Sequence, residues 1–86
     1  MKLKLYITRR DIQSEQIIVH IQSICRIHLA DQYKLDIVDV LEHPELAEED
    51  GILATPTLLR LEPLPVLCLV GDLSDEQVVR QQLGIP

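Results

Sequence analysis

Eighty-six residues at 47% hydrophobic content supply one modest core, so the chain is a single globular domain, 1–86, and neither a disordered segment nor a multidomain protein. Eight basic against fourteen acidic residues leave a net charge of −6, which excludes the basic face needed to displace counterions from nucleic acid or to hold an anionic membrane. Tyr6 and Tyr33 are the whole aromatic supply, so the core is aliphatic and there is no stacking platform for single-stranded nucleic acid.

In chain order, Leu3, Leu5 and Ile7 alternate with Lys2, Lys4 and Tyr6, the period of a strand. The polar loop "TRRD" follows. Asp11 or Ser14 caps a helix that runs to about Leu29, with Ile17, Ile18, Ile21, Ile24, Cys25 and His28 at helical spacing. After the break at "ADQY", "KLDIVDVL" reads as a strand, and its nearly continuous apolar run suits a central position covered on both sides. "EHPELAEED" opens a short helix with Pro44 in its first turn, and Gly51 ends it. "TPTLLRLE" and "VLCLVG" are two strands joined by the turn "PLP" into a hairpin; Pro63 and Pro65 are tolerated only at a turn or an edge. "GDLSDEQVVRQQL" closes the chain as a helix, with Ser74 and Gln77 at capping-box spacing and Asp75 and Glu76 in the first turn.

The predicted order is β-α-β-α-β-β-α. A right-handed β-α-β unit followed by a hairpin, with helices on both faces, is the α/β arrangement of the thioredoxin-like fold. The stretch "ILATPTL" fits it. That fold places a cis-proline at the mouth of its third strand, which predicts a cis bond between Thr55 and Pro56.

The chemistry that usually accompanies this fold is missing. Reactive cysteines belong at the start of the first helix, where the helix N-terminus lowers a thiol pKa. Here that place reads Thr8-Arg9-Arg10-Asp11-Ile12-Gln13. Cys25 lies on the apolar face of the first helix and Cys68 inside a strand, so both read as small core residues. His20, His28 and His43 are scattered and have no third ligand to complete a metal site. The four carboxylates of "ELAEED" read as a solvated helix face rather than an acid–base pair. Gly71-Asp72 is a turn, since no phosphate-loop motif is present, and Arg9-Arg10 is an exposed loop. The residues therefore predict a non-enzymatic domain without cofactor or metal. The N-terminus has no apolar run of the signal-peptide kind, and two unpaired cysteines suit a reducing cytoplasm.

Five segments together carry a family resemblance: "LKLY", "IVDVL", the long block "PELAEEDGILATPTL", and then "PLPV" and "GDLS" at the following intervals. They resemble the KaiB family of circadian clock proteins over nearly the whole chain. The resemblance implies a protein-binding adaptor that docks on a KaiC-like ATPase ring and recruits a KaiA-like protein. It also implies two folds, a monomeric thioredoxin-like form that binds and a tetrameric ground state with a rearranged C-terminal half. On this basis the partner-binding candidates are Glu48, Glu49, Asp50, Gly51, Arg60, Lys34 and Asp36. The fold-switch segment contains Gly71, Asp72, Gln82 and Gly84.

The chain departs from the family pattern at Thr8–Ser14. It departs also where basic residues are usual, at Gln16, Val19, Gly51 and the pair Leu67-Cys68, while Arg60 keeps one basic place. The same fold forms the input domain of a clock-associated sensor kinase, which makes a histidine kinase or other two-component protein an alternative partner. A thiol oxidoreductase is the alternative activity, disfavoured by the empty cysteine site. Both monomer and homo-oligomer are compatible with the pattern.

Overall fold

β1 (Lys2–Ile7) is the strand on which the rest is assembled. The computed structural model describes residues 1–86 as a four-stranded sheet of order β2-β1-β3-β4. β2 (Lys34–Asp39) runs parallel to β1, joined to it by α1 (Ile12–Leu29). β3 (Thr57–Glu62) lies antiparallel on the other side of β1, and β4 (Leu67–Val70) returns antiparallel along β3. α2 (Pro44–Glu49) sits between β2 and β3 in sequence, and α3 (Glu76–Leu83) closes the chain.

Alternation along the strands divides the core in two. Leu3, Leu5 and Ile7 face a cluster of thirteen buried residues that includes Ile18, Ile21, Ile24 and Cys25 of α1 and Val79 and Leu83 of α3. Tyr6 faces the other way and, with Val38, Ala47 and Leu59, forms a cluster of four under α2. The imbalance follows from helix length, eighteen and eight residues on one face against six on the other.

Three expectations need correcting. β2 is an edge strand, not a central one, because it pairs with β1 alone; β1 and β3 each pair on both sides and take the centre, and Lys34–Ile37 of β2 are exposed or half-buried. Cys68 is exposed rather than in the core. It pairs in register with Leu59 and so shares the α2 face, but six-residue α2 does not extend over β4. The cap of α3 is Asp75, whose carboxylate accepts from the backbone N–H groups of Gln77 and Val78; Ser74 instead donates to Asp72 in the preceding turn. Of the two candidate caps for α1, Asp11 is the one used, accepting from Gln13 N at 3.0 Å.

The helix ends differ in how well their residues suit the backbone. α3 ends at Gly84, φ 76°, where the absence of a Cβ makes a left-handed conformation inexpensive. α1 ends at Ala30, with φ 52° and ψ −120°. Gln32 N donates to Leu29 O at 2.9 Å, so Ala30 occupies the first central position of a II′-like turn, a glycine position. Ala30→Gly is therefore expected to stabilise the domain by about 1 kcal/mol. In a domain of this size that is a rise of about 4–8 °C in the thermal midpoint by circular dichroism.

Candidate functional site

The place that carries redox chemistry in other proteins of this architecture is a cleft of about 350 Å³ here. Its walls come from the α1 N-terminus, the Thr55–Pro56 loop and the turn at Gly71–Leu73. The Thr55–Pro56 peptide bond is cis. The Thr8 and Thr55 hydroxyls are hydrogen-bonded at 2.9 Å, and Ser14 Oγ donates to Thr8 O at 2.5 Å, which ties loop, helix and proline turn together. Asp72 accepts from both Ser74 N and Ser74 Oγ, and these bonds hold its carboxyl below the ordinary carboxylate range. The carboxylates here are thus occupied with local turns, the Ser14 and Thr55 hydroxyls are taken up in the bonds just described, and no cysteine lines the cleft. Cys25 is buried among the α1 core residues, where burial pushes its thiol pKa up, opposite to the direction thiol catalysis needs. No three His, Cys, Asp or Glu side chains converge as a metal site.

A second constellation holds α2 in place. Tyr6, fully buried, donates its hydroxyl hydrogen bond toward Asp50 Oδ2 at 2.5 Å and lies 3.1 Å from Leu46 O. Lys4 Nζ reaches the same Asp50 oxygen at 3.1 Å and stands 5.6 Å from the Tyr6 ring centroid. The Tyr6 hydroxyl, then the Lys4 ammonium, hold the Asp50 carboxyl below its usual range, while burial opposes them. Lys4 is raised chiefly by its hydrogen bond to Asp50, and Tyr6 chiefly by burial. The arrangement was readable in part: alternation sets Lys4 and Tyr6 on one face of β1, and Asp50 closes the "ELAEED" run. The sequence has no signal that the fold brings these two segments together.

The other candidates are dispersed. Glu48 and Glu49 are exposed at the end of α2, and Gly51, φ 68°, turns the chain away beside them. Asp50 is itself exposed, but its carboxylate is engaged by Tyr6 and Lys4. Lys34 and Asp36 lie on the outer strand, with Asp36 in register with Lys4 and hence on the α2 face. Arg60 is only 9% exposed and belongs to the opposite face, where Nη1 donates to Leu83 O at 2.9 Å and Nη2 to Pro65 O at 3.0 Å. In this fold it fastens α3 and the β3–β4 turn rather than meeting a partner. Gly71, Asp72, Gln82 and Gly84 are all exposed, the first two at the cleft and the last two at the end of α3.

A thioredoxin-like sheet, a cis-proline turn and a thiol-free helix start define a class of domains that keep the redox scaffold without its reacting group. Within that class the KaiB domain matches residues 4–85, and the chain belongs to the KaiB family. It is 45% identical over 83 residues to the circadian clock protein KaiB3 of a Synechocystis strain, covering 96% of this chain and 81% of that protein. It is 44% identical over 77 residues to the circadian clock oscillator protein KaiB of Synechococcus elongatus, covering 90% and 76%. Among solved structures, the N-terminal domain of Synechococcus elongatus SasA superposes with a TM-score of 0.77 at 25% identity, covering 96% of this chain and 82% of that one. Thioredoxin 1 of Thermosipho africanus superposes at 0.80 with 15% identity, covering 98% and 91%, a likeness of fold alone.

The Asp50 cluster gives the domain a defined pH response. A depressed folded-state pKa contributes stability that is present above the unfolded carboxyl value of about 3.9 and is lost as pH falls through the lower folded value. The stability difference between wild type and Asp50→Asn is therefore expected to stay constant from about pH 5 to 8 and to shrink below about pH 4. Lys4 and Tyr6, both raised, contribute up to about pH 10 and lose their contribution as pH rises through their folded values. Urea unfolding of both proteins across the pH range checks this; a gap that widens in acid refutes it.

Proposed function

We propose that this chain is a non-enzymatic clock adaptor that docks on a KaiC-type ATPase ring. The observation that carries the reading is the α2 surface: Tyr6 and Lys4 anchor the Asp50 carboxylate, which leaves Glu48, Glu49 and Gly51 presented on a fixed helix end. A surface held still before binding loses less entropy on docking. Lys34 and Asp36, on the open edge of β2, extend the contact, since an unpaired strand edge offers backbone groups to a partner strand. Family membership supports the assignment. A KaiA-like protein is the further partner expected of such an adaptor.

The likeness to the SasA N-terminal domain favours a second reading, in which the partner is a histidine kinase or response regulator. Size-exclusion chromatography with light scattering distinguishes the two. Co-elution with a KaiC-type hexamer and nucleotide is expected for the first reading. Glu48→Arg with Glu49→Arg is expected to weaken it about tenfold or more through charge mismatch at the docking surface. A chain that ignores the hexamer but co-elutes with a two-component protein supports the second.

The adaptor rests in the thioredoxin-like form, and Gly71, Asp72, Gln82 and Gly84 bound the segment whose rearrangement would create another. The Arg60 bonds to Leu83 O and Pro65 O support this resting form, because they fasten both ends of that half to one side chain. Amide chemical shifts in solution are expected to report helix across 76–83; strand shifts there would show a different resting fold.

A further inference from the structure

The chain between α2 and β3 leaves its backbone unused. The N–H groups of Leu53, Ala54 and Thr55 donate to no group of the protein, and the carbonyls of Leu53 and Thr55 accept from none. All three residues are exposed, Leu53 to 99%. The segment is nonetheless held in place. Ile52 N donates to Ala47 O at 2.8 Å, Thr57 Oγ1 donates to Ala54 O at 2.6 Å, and the Thr55 hydroxyl is bonded to that of Thr8. Backbone groups that are exposed, unpaired and already fixed can bond to another chain at little further cost in entropy.

Two clefts border this segment. One is the cleft of about 350 Å³ at Thr55. The other, of about 250 Å³, lies between Ile52–Ala54 and the β4 residues Cys68 and Val70. Their walls are consecutive in the chain, Thr57 and Val70 in the smaller, Pro56 and Gly71 in the larger, so the two read as one groove. The smaller part is lined mainly by aliphatic side chains. The larger part has Asp11 and Asp72 in its walls, and no Lys, Arg or His lines either. Each of these acids uses only Oδ1 within the chain, Asp11 for Gln13 N and Asp72 for Ser74, which leaves Oδ2 without a partner. The Ser74 bonds also keep the Asp72 carboxyl ionised to below the ordinary range. Arg9 and Arg10 precede Asp11 but do not line the groove, and Arg9 is engaged by Glu15 at 3.5 Å.

We propose that this groove takes an extended polypeptide segment of a partner, one that carries an aliphatic residue two positions from a lysine or arginine. The unpaired main-chain groups of 53–55 call for a ligand with main-chain groups of its own, and the two parts of the groove supply selectivity. In an extended chain the side chains at i and i+2 share one face about 7 Å apart. Leu53, at the smaller part, and Thr55, at the larger, stand at that same interval in sequence. The aliphatic side chain fills the part against Val70, and the cation faces Asp11 and Asp72. A protein of net charge −6 draws a basic segment and repels an acidic one. Asp11 and Gln13 belong to Thr8–Ser14, where this chain departs from the family pattern, so the selectivity is its own. The groove is independent of docking at the end of α2.

Titration of the labelled protein with a blocked pentapeptide, Gly-Val-Ser-Lys-Gly, up to about 10 mM tests the proposal by amide chemical shifts. Binding is expected with a dissociation constant on the order of 1 mM. The shifts are expected to move at 11–14, 53–55 and 70–73. Replacing the peptide lysine by glutamate is expected to weaken binding about fivefold. Asp11→Asn combined with Asp72→Asn is expected to abolish the difference between the two peptides. Asparagine keeps both the helix cap and the turn bond, so the fold is retained. Shifts that stay still to the end of the titration overturn the proposal. Equal binding of the lysine and glutamate peptides to wild type overturns it too, as do shifts confined to the end of α2. None of these outcomes bears on co-elution with an ATPase hexamer, so the two readings fail separately.

Discussion

A sheet has two faces to cover, and this chain has helix enough for one of them. α1 and α3 close the first face over thirteen buried residues, which is where hydrophobic burial stabilises the domain. The second face has only α2, six residues long, too short to hold itself by helix propensity. Polar contacts make up the difference. Tyr6 is the one fully buried aromatic side chain, and it sits where the apolar contact is thinnest, with its ring under α2 and its hydroxyl at Asp50. The end of α2 is thus fixed by an ion pair and a phenol as well as by packing, and titrates with them.

Arg60 shows the same economy on the opposite face. A guanidinium buried in a small domain is costly unless its donors are used. Two of them go to the carbonyls of Leu83 and Pro65, one at the end of α3 and one in the β3–β4 turn. No carboxylate pairs with it, and its Nε has no partner. Gly84 lies against the same side chain; a Cβ there would stand 3.6 Å from Nη1. The end of the chain is positioned by a charge whose partners are backbone atoms, so its placement depends on local geometry at three separate points in the sequence.

Element type and order were legible because each segment carries its own period and punctuation: Lys2–Ile7 alternates, α1 repeats at helical spacing, and Pro44, Gly51 and Pro63 mark boundaries. The cis bond at Pro56 was legible from its place before a strand. What failed was position within the sheet. The apolar run in β2 is no different from that of a central strand, because which strand gains two neighbours is decided by pairing between distant segments. The exposure of Cys68 failed for the same reason, since it depends on how far α2 reaches. At the candidate site, the absence of a reactive thiol could be read directly, whereas the internal bonds of Asp50 and Arg60 could not: both are charged residues in polar-looking surroundings, and only tertiary contact shows which side chains are taken up within the fold.

The uneven cover of the sheet leaves the protein with two thiols of opposite character, Cys68 open to solvent and Cys25 sealed between α1 and the sheet. A thiol-reactive dye under native conditions marks a single position on β4 without any engineered cysteine. The second thiol becomes reactive only when α1 lifts from the sheet. The rate of second labelling thus records the opening of the main core, in a chain whose lack of tryptophan leaves ordinary fluorescence with little to report.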